Sequence, residues 1–194
     1  MLQKIKTITI YAAASSRIPS VYFEAAAELG KLMAEHSITC INGGGIKGLM
    51  GAITDAVLEN GGNVCGVIPQ FMHDRGWAHP AIKDMIITHD MHRRKQTMAE
   101  KSDACIALPG GVGTLEELLE IITWKELGLY NKPIVILNTA GYYNDLVAML
   151  NKADKEQFIP PSSIVWEVAR TPKEALNLIV KQMNPEEIFR TYIA

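Results

Sequence analysis

The chain has 194 residues, enough for one domain with a sizeable core. Hydrophobic residues make up 48% of it and charged residues 21%, a composition that excludes a largely disordered or fibrous protein. The formal net charge of -2 excludes a global field that would recruit nucleic acid or an acidic membrane. We therefore expect neither as a partner, and a nucleotide would have to be held by a local site.

Strand-like and helix-like segments alternate along the chain. Short apolar runs predict strands at residues 5–12, 37–42, 64–68, 84–88, 104–108, 133–137 and 163–168. Apolar residues at helical spacing predict helices at residues 20–35, 47–59, 91–101, 114–127, 143–153 and 172–181. Residues 70–83 predict an irregular loop.

This alternation is typical of an α/β protein with a mostly parallel sheet and helices on both faces. No repeat or linker divides the chain, so we predict a single doubly wound, Rossmann-like nucleotide-binding domain over residues 1–194. Ligands of such folds bind beyond the C-terminal ends of the strands. The loops at residues 11–16, 42–48 and 109–114 leave such ends, and the site is expected among them.

The cysteines and the N-terminus indicate the compartment. Cys40, Cys65 and Cys105 each lie in an apolar run and share no metal-ligand spacing, which favours buried thiols in a reducing environment. The N-terminus lacks the apolar stretch of a signal peptide, and no segment is long enough to span a bilayer. We therefore expect a cytoplasmic protein.

The first glycine-rich loop, residues 43–48, matches G-x-G-x-x-G between a strand and a helix. This context favours phosphate binding at the helix N-terminus, although a tight turn for close helix packing explains the glycines too. The next strand ends without the acidic residue that a NAD site requires. Leu49 stands where a P-loop requires lysine.

The second glycine-rich loop, residues 109–114, is the stronger signal, because three glycines and a helix N-terminus suit a monophosphate. Two interpretations of Glu117 stay open at this point. Thr114 and Glu117 fit a capping box, in which Glu117 would fold back on the start of the helix and Glu116 and Glu120 would be solvated. An acid beside a phosphate site is electrostatically unusual, however, and this indicates a functional role.

Two complete motifs flank the fifth predicted strand. Residues 91–95 read Met-His-Arg-Arg-Lys, and residues 109–117 read Pro-Gly-Gly-Val-Gly-Thr-Leu-Glu-Glu. With the spacing between them, they match the patterns M-H-x-R-K and P-G-G-x-G-T-x-x-E. The chain thereby resembles the Lonely Guy (LOG) family of cytokinin riboside 5′-monophosphate phosphoribohydrolases, many of which were labelled possible lysine decarboxylases. The resemblance runs from about residue 5 to residue 159.

The resemblance implies hydrolysis of the N-glycosidic bond of AMP, or of an N6-substituted relative, to free base and ribose 5-phosphate. By motif position, Arg94 and Glu117 are the catalytic pair. The residues implied in substrate binding are Ser15, Gly43, Gly44, Gly45, Met91, Lys95, Gly110, Gly111, Val112, Gly113 and Thr114. The family also implies a homodimer with the site near the interface. We expect no cofactor and no metal.

Three basic residues at the start of the helix at 91–101 oppose its macrodipole, which favours an anion site over a plain surface. Arginine is a poor proton donor, so Arg94 is expected to hold Glu117 ionised or to bind the phosphate or departing base. One departure from the family lies in the loop after the first predicted strand, where Ala13 replaces glycine and Arg17 replaces a small residue.

Three other functions compete with the hydrolase. The fold and the second glycine loop also resemble molybdenum-cofactor carrier proteins, which bind a nucleotide-like ligand without turnover, but the Arg94 and Glu117 pair favours the hydrolase. A lysine decarboxylase would need a lysine that anchors pyridoxal phosphate, and no lysine has a recognisable context for it. A NAD-dependent dehydrogenase ranks lower, because the ribose-binding acid is missing.

Overall fold

The computed structural model describes residues 5–159 and 165–183. The strands are β1 (Thr7–Tyr11), β2 (Thr39–Asn42), β3 (Val64–Pro69), β4 (Asp84–Thr88), β5 (Ala104–Ala107), β6 (Ile134–Leu137) and β7 (Glu167–Ala169). The helices are α1 (Ser20–Glu35), α2 (Gly48–Glu59), α3 (Gln70–Asp74), α4 (Met91–Lys101), α5 (Val112–Glu126), α6 (Asn144–Lys155) and α7 (Pro172–Met183). A single 3₁₀ turn at Thr139–Gly141 precedes α6.

The strands form one sheet in the order β4-β3-β2-β1-β5-β6-β7, and each neighbouring pair is parallel. The predicted α/β, Rossmann-like class is thus confirmed. The strand order reverses between β1 and β5, where Tyr11 is in register with Ala107. Such a reversal is the topological switch point, near which doubly wound folds bind ligands.

Two apolar cores cover the two faces of the sheet, as the alternation of strands and helices predicts. On one face α1, α2 and α7 pack on the sheet through fully buried residues such as Leu29, Ile53 and Ile179. On the other face α4, α5 and α6 contribute the core residues, among them Met98 and Leu118. The helix pair that carries both sequence motifs therefore lies on one face.

Two predicted elements differ from the structure. Residues 70–83 are not irregular throughout, because α3 forms a short helix directly after Pro69. The fixed φ of proline suits the residue before a first helical turn, a signal that the loop prediction did not use. The strand predicted at 163–168 is observed at Glu167–Ala169, and its first two residues lie outside the described part of the chain.

The start of α5 also corrects the prediction. The helix begins at Val112, two residues before the predicted start, with Gly111 as its N-cap. Leu115 N–H donates to the Gly111 carbonyl at 3.0 Å, which is the first helical hydrogen bond. Thr114 therefore lies inside the first turn, and the capping box that would pair it with Glu117 is wrong.

The three cysteines are unbridged and buried. Burial raises the pKa of Cys40, Cys65 and Cys105 to about 12, so these thiols stay protonated and act as small core residues. None of the described helices combines the length and the apolar composition that a bilayer crossing requires.

Candidate active site

A buried ion pair joins the two sequence motifs across the face of the sheet. Arg94 Nη1 donates to Glu117 Oε1 at 2.7 Å, and both side chains are at least nine-tenths buried. Arg94 Nε donates to the carbonyl of Val67 at the end of β3, at 3.0 Å. With two of its donors engaged, the guanidinium has one orientation, and it fixes the carboxylate in turn.

The buried environment of Glu117 disfavours the charged form of its carboxyl group. Burial raises the pKa of the Glu117 carboxyl above its ordinary value, and the Arg94 guanidinium opposes this rise without cancelling it. A carboxyl with a raised pKa beside a fixed cation is typical of groups that take part in proton transfer or stabilise developing charge.

This pKa predicts how stability varies with pH. Between the ordinary glutamate pKa and the raised one, the folded state binds more protons than the unfolded state, so the free energy of unfolding falls as pH rises through that window. Glu117→Gln does not titrate, so it should become steadily more stable relative to wild type over the same window. Urea unfolding of both proteins at a series of pH values measures this. A constant difference across the window would contradict the raised pKa.

The first glycine loop makes room for the guanidinium. A Cβ added at Gly43 would overlap Arg94 Nη2. Several amides of this loop are already engaged within the protein. Gly44 N–H donates to Asn42 Oδ1 at 2.8 Å, and Gly48 N–H donates to Ser16 Oγ at 3.3 Å. Gly43 therefore serves close packing around Arg94, and substrate contact by Gly43, Gly44 and Gly45 stays a prediction.

Two glycines of the second loop have open space beside them, whereas other residues occupy the space beside the glycines of the first loop. A Cβ added at Gly111 or Gly113 would meet no atom within 4 Å, and both residues are exposed. At Gly110 an added Cβ would overlap the Thr114 side chain. The Thr114 hydroxyl and the Gly111 N–H have no hydrogen-bond partner among the residues that the structure describes. This loop thus offers free donors at a helix N-terminus, within the reach of an anion.

Lys95 has a different setting from the one predicted for it. Its ammonium pairs with Glu116 and lies 3.0 Å from Glu120 Oε2. Burial alone would lower the pKa of Lys95, but hydrogen bonds to these two carboxylates outweigh it and raise the pKa. The prediction that Glu116 and Glu120 are plain solvated acids is wrong, because they neutralise this buried cation.

The basic start of α4 is offset by its own cap. Asp90 Oδ1 accepts from Arg93 N–H at 2.8 Å and places a carboxylate at the helix N-terminus. Hydrogen bonds to that backbone amide and to His89 lower the pKa of Asp90. Met91 is partly exposed at the first position of the helix. The sequence interpretation considered only the three basic residues at 93–95 and missed this cap.

The loop after β1, residues 11–16, contacts both the second glycine loop and the start of α2 through its backbone. Ala13 N–H donates to the carbonyl of Pro109, and Ala13 C=O accepts from Met50 N–H, both at 3.3 Å. Ser15 and Arg17 are exposed, and Ser15 Oγ accepts from Arg17 N–H at 3.3 Å. Alanine at position 13 is buried and fits the local packing.

A further element escaped the sequence interpretation. His79 N–H donates to the carbonyl of Gly44 at 2.8 Å, while His79 Nε2 lies 3.0 Å from Asp55 Oδ1 on α2. These two contacts hold the segment after α3 against the first glycine loop and α2. No motif marks this role, because the partners lie far apart in the chain. Within the described ranges, no group of three or more His, Cys, Asp or Glu side chains could hold a metal ion.

The chain is similar to known proteins over most of its length. The family described as possible lysine decarboxylase matches residues 50–179. A probable cytokinin riboside 5′-monophosphate phosphoribohydrolase from Oryza sativa subsp. japonica is 44% identical, over 89% of this chain and 70% of its own length. A cytokinin riboside 5′-monophosphate phosphoribohydrolase from Arabidopsis thaliana is 45% identical, over 82% of this chain and 75% of its own.

Solved structures show the same fold. The molybdenum cofactor carrier protein from Chlamydomonas reinhardtii superposes with a TM-score of 0.70 at 23% identity, covering 94% of this chain and 99% of that one. A likeness at this identity concerns the fold alone. The two plant relatives, by contrast, match at 44% and 45% identity over most of both chains. This chain therefore belongs to the LOG family of cytokinin riboside 5′-monophosphate phosphoribohydrolases.

Proposed function

We propose that this protein hydrolyses the N-glycosidic bond of a purine nucleoside 5′-monophosphate, AMP or an N6-substituted relative, to free base and ribose 5-phosphate. The observation that carries the proposal is the buried Arg94–Glu117 pair, whose carboxylate lies on the same helix as a loop with free donors. The relatives named above act on a nucleoside monophosphate of this kind.

Glu117 supplies the charge that this reaction needs. Cleavage of a glycosidic bond builds positive charge on the sugar, as in an oxocarbenium ion. A carboxylate near the anomeric carbon stabilises that charge and orients or deprotonates the attacking water. Glu117 lies on the second turn of α5, whereas a phosphate at Gly111 and Gly113 would lie at its start. The ribose ring would then bridge the short distance between them.

Arg94 acts as a positioning and electrostatic group. Its guanidinium stays protonated over the working pH range, so it does not serve as the proton donor. It holds Glu117 in place against the cost of burial and leaves Nη2, beside Gly43, directed toward the first glycine loop. From there it can donate to the departing base or to the phosphate.

The phosphate is assigned to the second glycine loop. Gly111, Gly113 and Thr114 present unengaged donors at the start of α5, and the macrodipole adds positive potential there. Gly110 and Val112 complete the loop, and Met91 lies at the start of the neighbouring helix. We keep Ser15 and Lys95 as weaker candidates, because Ser15 is exposed and Lys95 is neutralised by two carboxylates.

Turnover of defined nucleotides tests the proposal. The protein is incubated with AMP, with isopentenyladenosine monophosphate and with the two unphosphorylated nucleosides, and chromatography follows free base and ribose 5-phosphate. We expect base release from the monophosphates only. Tight nucleotide binding without release of base would overturn the hydrolase and favour a carrier.

The chemistry of Lys95 argues against a lysine decarboxylase. A lysine that anchors pyridoxal phosphate must lose its proton to form a Schiff base. Lys95 is the one buried lysine among the described residues, and its carboxylate partners raise its pKa, which stabilises the protonated form. Burial lowers the pKa of two other lysines, Lys125 and Lys132, but their ammonium groups donate to backbone carbonyls. Lys95 itself is therefore not suited to anchor pyridoxal phosphate.

The protein is also proposed to form a homodimer through α5. One side of this helix presents an open groove in which the apolar Val112, Leu115 and Leu119 lie beside Glu116, Glu120 and Thr123, and Val112 is 84% exposed. Apolar side chains in such a row favour burial against a second copy. Glu117 lies on the same helix, which would place the site near the interface, as the resemblance to the family implies.

Solution mass tests the interface. Light scattering after size exclusion should give about twice the 21.4 kDa of the chain. Leu119→Glu places a third carboxylate in the groove beside Glu116 and Glu120 and should shift the protein toward monomer, because an unpaired charge in an interface is costly. Met149→Glu, at an exposed site on α6, is the matched control and should leave the mass unchanged. A monomeric wild-type protein would contradict the proposal.

A cytoplasmic location is proposed as well. Cys40, Cys65 and Cys105 are free thiols, as expected for a protein of a reducing compartment. Cell fractionation with antibody detection tests this, and recovery in a secreted or membrane fraction would contradict it.

A further inference from the structure

The segment after β6 holds two neighbouring tyrosines in a fixed arrangement. Asn138 Oδ1 accepts from Tyr143 N–H at 2.6 Å, and its amide nitrogen donates to Asn144 Oδ1 at 2.8 Å. Between them Ala140 has a φ of 52°, in the left-handed region that alanine rarely adopts. The local structure thus accepts backbone strain in order to place Tyr142 and Tyr143, and strain of this kind tends to accompany function.

The two hydroxyls donate to backbone carbonyls just before and within the second glycine loop. Tyr143 Oη donates to the carbonyl of Leu108 at 2.6 Å, and Tyr142 Oη donates to the carbonyl of Gly110 at 2.8 Å. The tyrosines therefore hold two carbonyls that lie two residues apart, immediately before α5. The hydroxyl group of Tyr142 reaches the loop although its side chain is 45% exposed.

The two hydrogen bonds differ in what they do to the loop. Leu108 precedes Pro109, which has no N–H, so the bond from Tyr143 fixes the backbone but orients no donor. Gly110 precedes Gly111, whose N–H belongs to the same peptide unit as the bonded carbonyl. In a planar trans peptide the C=O and N–H point in opposite directions. A hydroxyl on the Gly110 carbonyl therefore directs the Gly111 N–H away from Tyr142.

The Gly111 N–H is well suited to meet a ligand. It has no acceptor among the described residues, and no heavy atom lies within 4 Å of a Cβ added there. Donation to the carbonyl also polarises the peptide and strengthens its N–H as a donor. We propose that Tyr142 is a positioning residue, whose hydroxyl fixes the peptide between Gly110 and Gly111 so that the Gly111 N–H binds the substrate phosphate. This inference rests on the phosphate site of the proposed function.

A single hydroxyl can be removed to test this. Tyr142→Phe keeps the ring and its edge-on contact with Tyr22, at a centroid distance of 5.6 Å. Tyr22→Phe is the matched control, because it removes a hydroxyl from the same aromatic pair that has no hydrogen-bond partner in the described ranges. The probe is ribose 5-phosphate, whose binding is measured by calorimetry, together with KM and kcat for AMP and inhibition by adenine.

For Tyr142→Phe we expect the Kd for ribose 5-phosphate and the KM for AMP to rise about two- to tenfold, the range for the loss of one hydrogen bond. Inhibition by adenine and kcat should stay close to wild type, and Tyr22→Phe should match wild type throughout. An unchanged Kd in Tyr142→Phe, or an equal loss of adenine binding, would overturn the inference, since a merely structural role would weaken both ligands.

A second variant tests whether Tyr142 acts through the amide of Gly111. Gly111→Pro removes that N–H, and the Gly111 φ of −86° is close to the value that proline adopts. In this background Tyr142→Phe should cause no further loss of ribose 5-phosphate binding, whereas independent effects would add and contradict the mechanism. Because the probe is a product of the proposed reaction and needs no turnover to bind, wild-type binding without turnover of AMP would reject the proposed hydrolase and still test Tyr142. A wild-type protein that turns over AMP but binds no ribose 5-phosphate would overturn the inference about Tyr142 and leave the hydrolase standing.

Discussion

Glu117→Gln should lower kcat for base release from AMP by about 10²- to 10⁴-fold, the largest effect expected from any substitution in this protein. Glutamine preserves the shape of the side chain and can still accept from Arg94 Nη1, so the geometry at 2.7 Å need not change. What it removes is the negative charge that would stabilise the oxocarbenium-like sugar. The KM should change far less, because the phosphate is assigned to the start of α5 and not to this carboxylate.

The neighbouring carboxylate provides the control for this experiment. Glu116→Gln makes the same chemical change one residue earlier, on a side chain that is half exposed and pairs with Lys95. Lys95 keeps its second partner, Glu120 Oε2 at 3.0 Å, and Glu116 itself is half exposed, so kcat should stay within about threefold of wild type. Initial rates for both variants, with circular dichroism to check folding, give the comparison. An equal loss of kcat in the two variants would show that a carboxylate anywhere on α5 has the same effect. It would contradict a specific role of Glu117 in the reaction.

Much of the fold could be predicted from the sequence because its signals are local. Short apolar strands between helices with 3.6-residue spacing indicate a doubly wound sheet, and the observed strand order agrees with it. The failures occurred where local signals compete. Thr114 and Glu117 have capping-box spacing, but Gly111 can adopt the N-cap conformation and starts the helix earlier. Once Thr114 is inside the helix, Glu117 is free to turn inward toward Arg94.

The sequence motifs predict the two residues of the buried pair, but not the contacts that surround this pair. The two motifs name Arg94 and Glu117, and the structure brings them into contact. Three contacts were not predicted: the ion pair between Lys95 and Glu120, the contact between His79 and Asp55, and the hydrogen bond from Tyr142 to Gly110. Each joins residues that are far apart in the sequence, and their side chains are of ordinary types. Hydropathy and spacing carry no information about such contacts, because they arise only when the sheet sets the helices side by side.

Gly43→Ala should also abolish most activity, although it adds only one methyl group. The sequence predicts a glycine here for close approach to a phosphate, but the structure shows the space taken by Arg94 Nη2, which an alanine Cβ would overlap. The guanidinium cannot swing away without breaking its bonds to Val67 and Glu117. A displacement on the order of 1 Å in a catalytic constellation can lower kcat by about 10²-fold, and we expect a loss of at least that size.

A second glycine of the same loop separates this cause from a general effect of crowding. Gly45→Ala adds the same methyl group, but its nearest neighbour is Met50 Sδ at 3.1 Å, a flexible thioether that can shift. We therefore expect a clearly smaller loss of kcat from Gly45→Ala than from Gly43→Ala, with both variants folded by thermal melting. If the two variants lose activity equally, the glycines act together on the substrate, as the G-x-G-x-x-G pattern suggests. If only Gly43→Ala loses activity, this glycine is required because the Arg94 guanidinium occupies the space that an alanine Cβ would need.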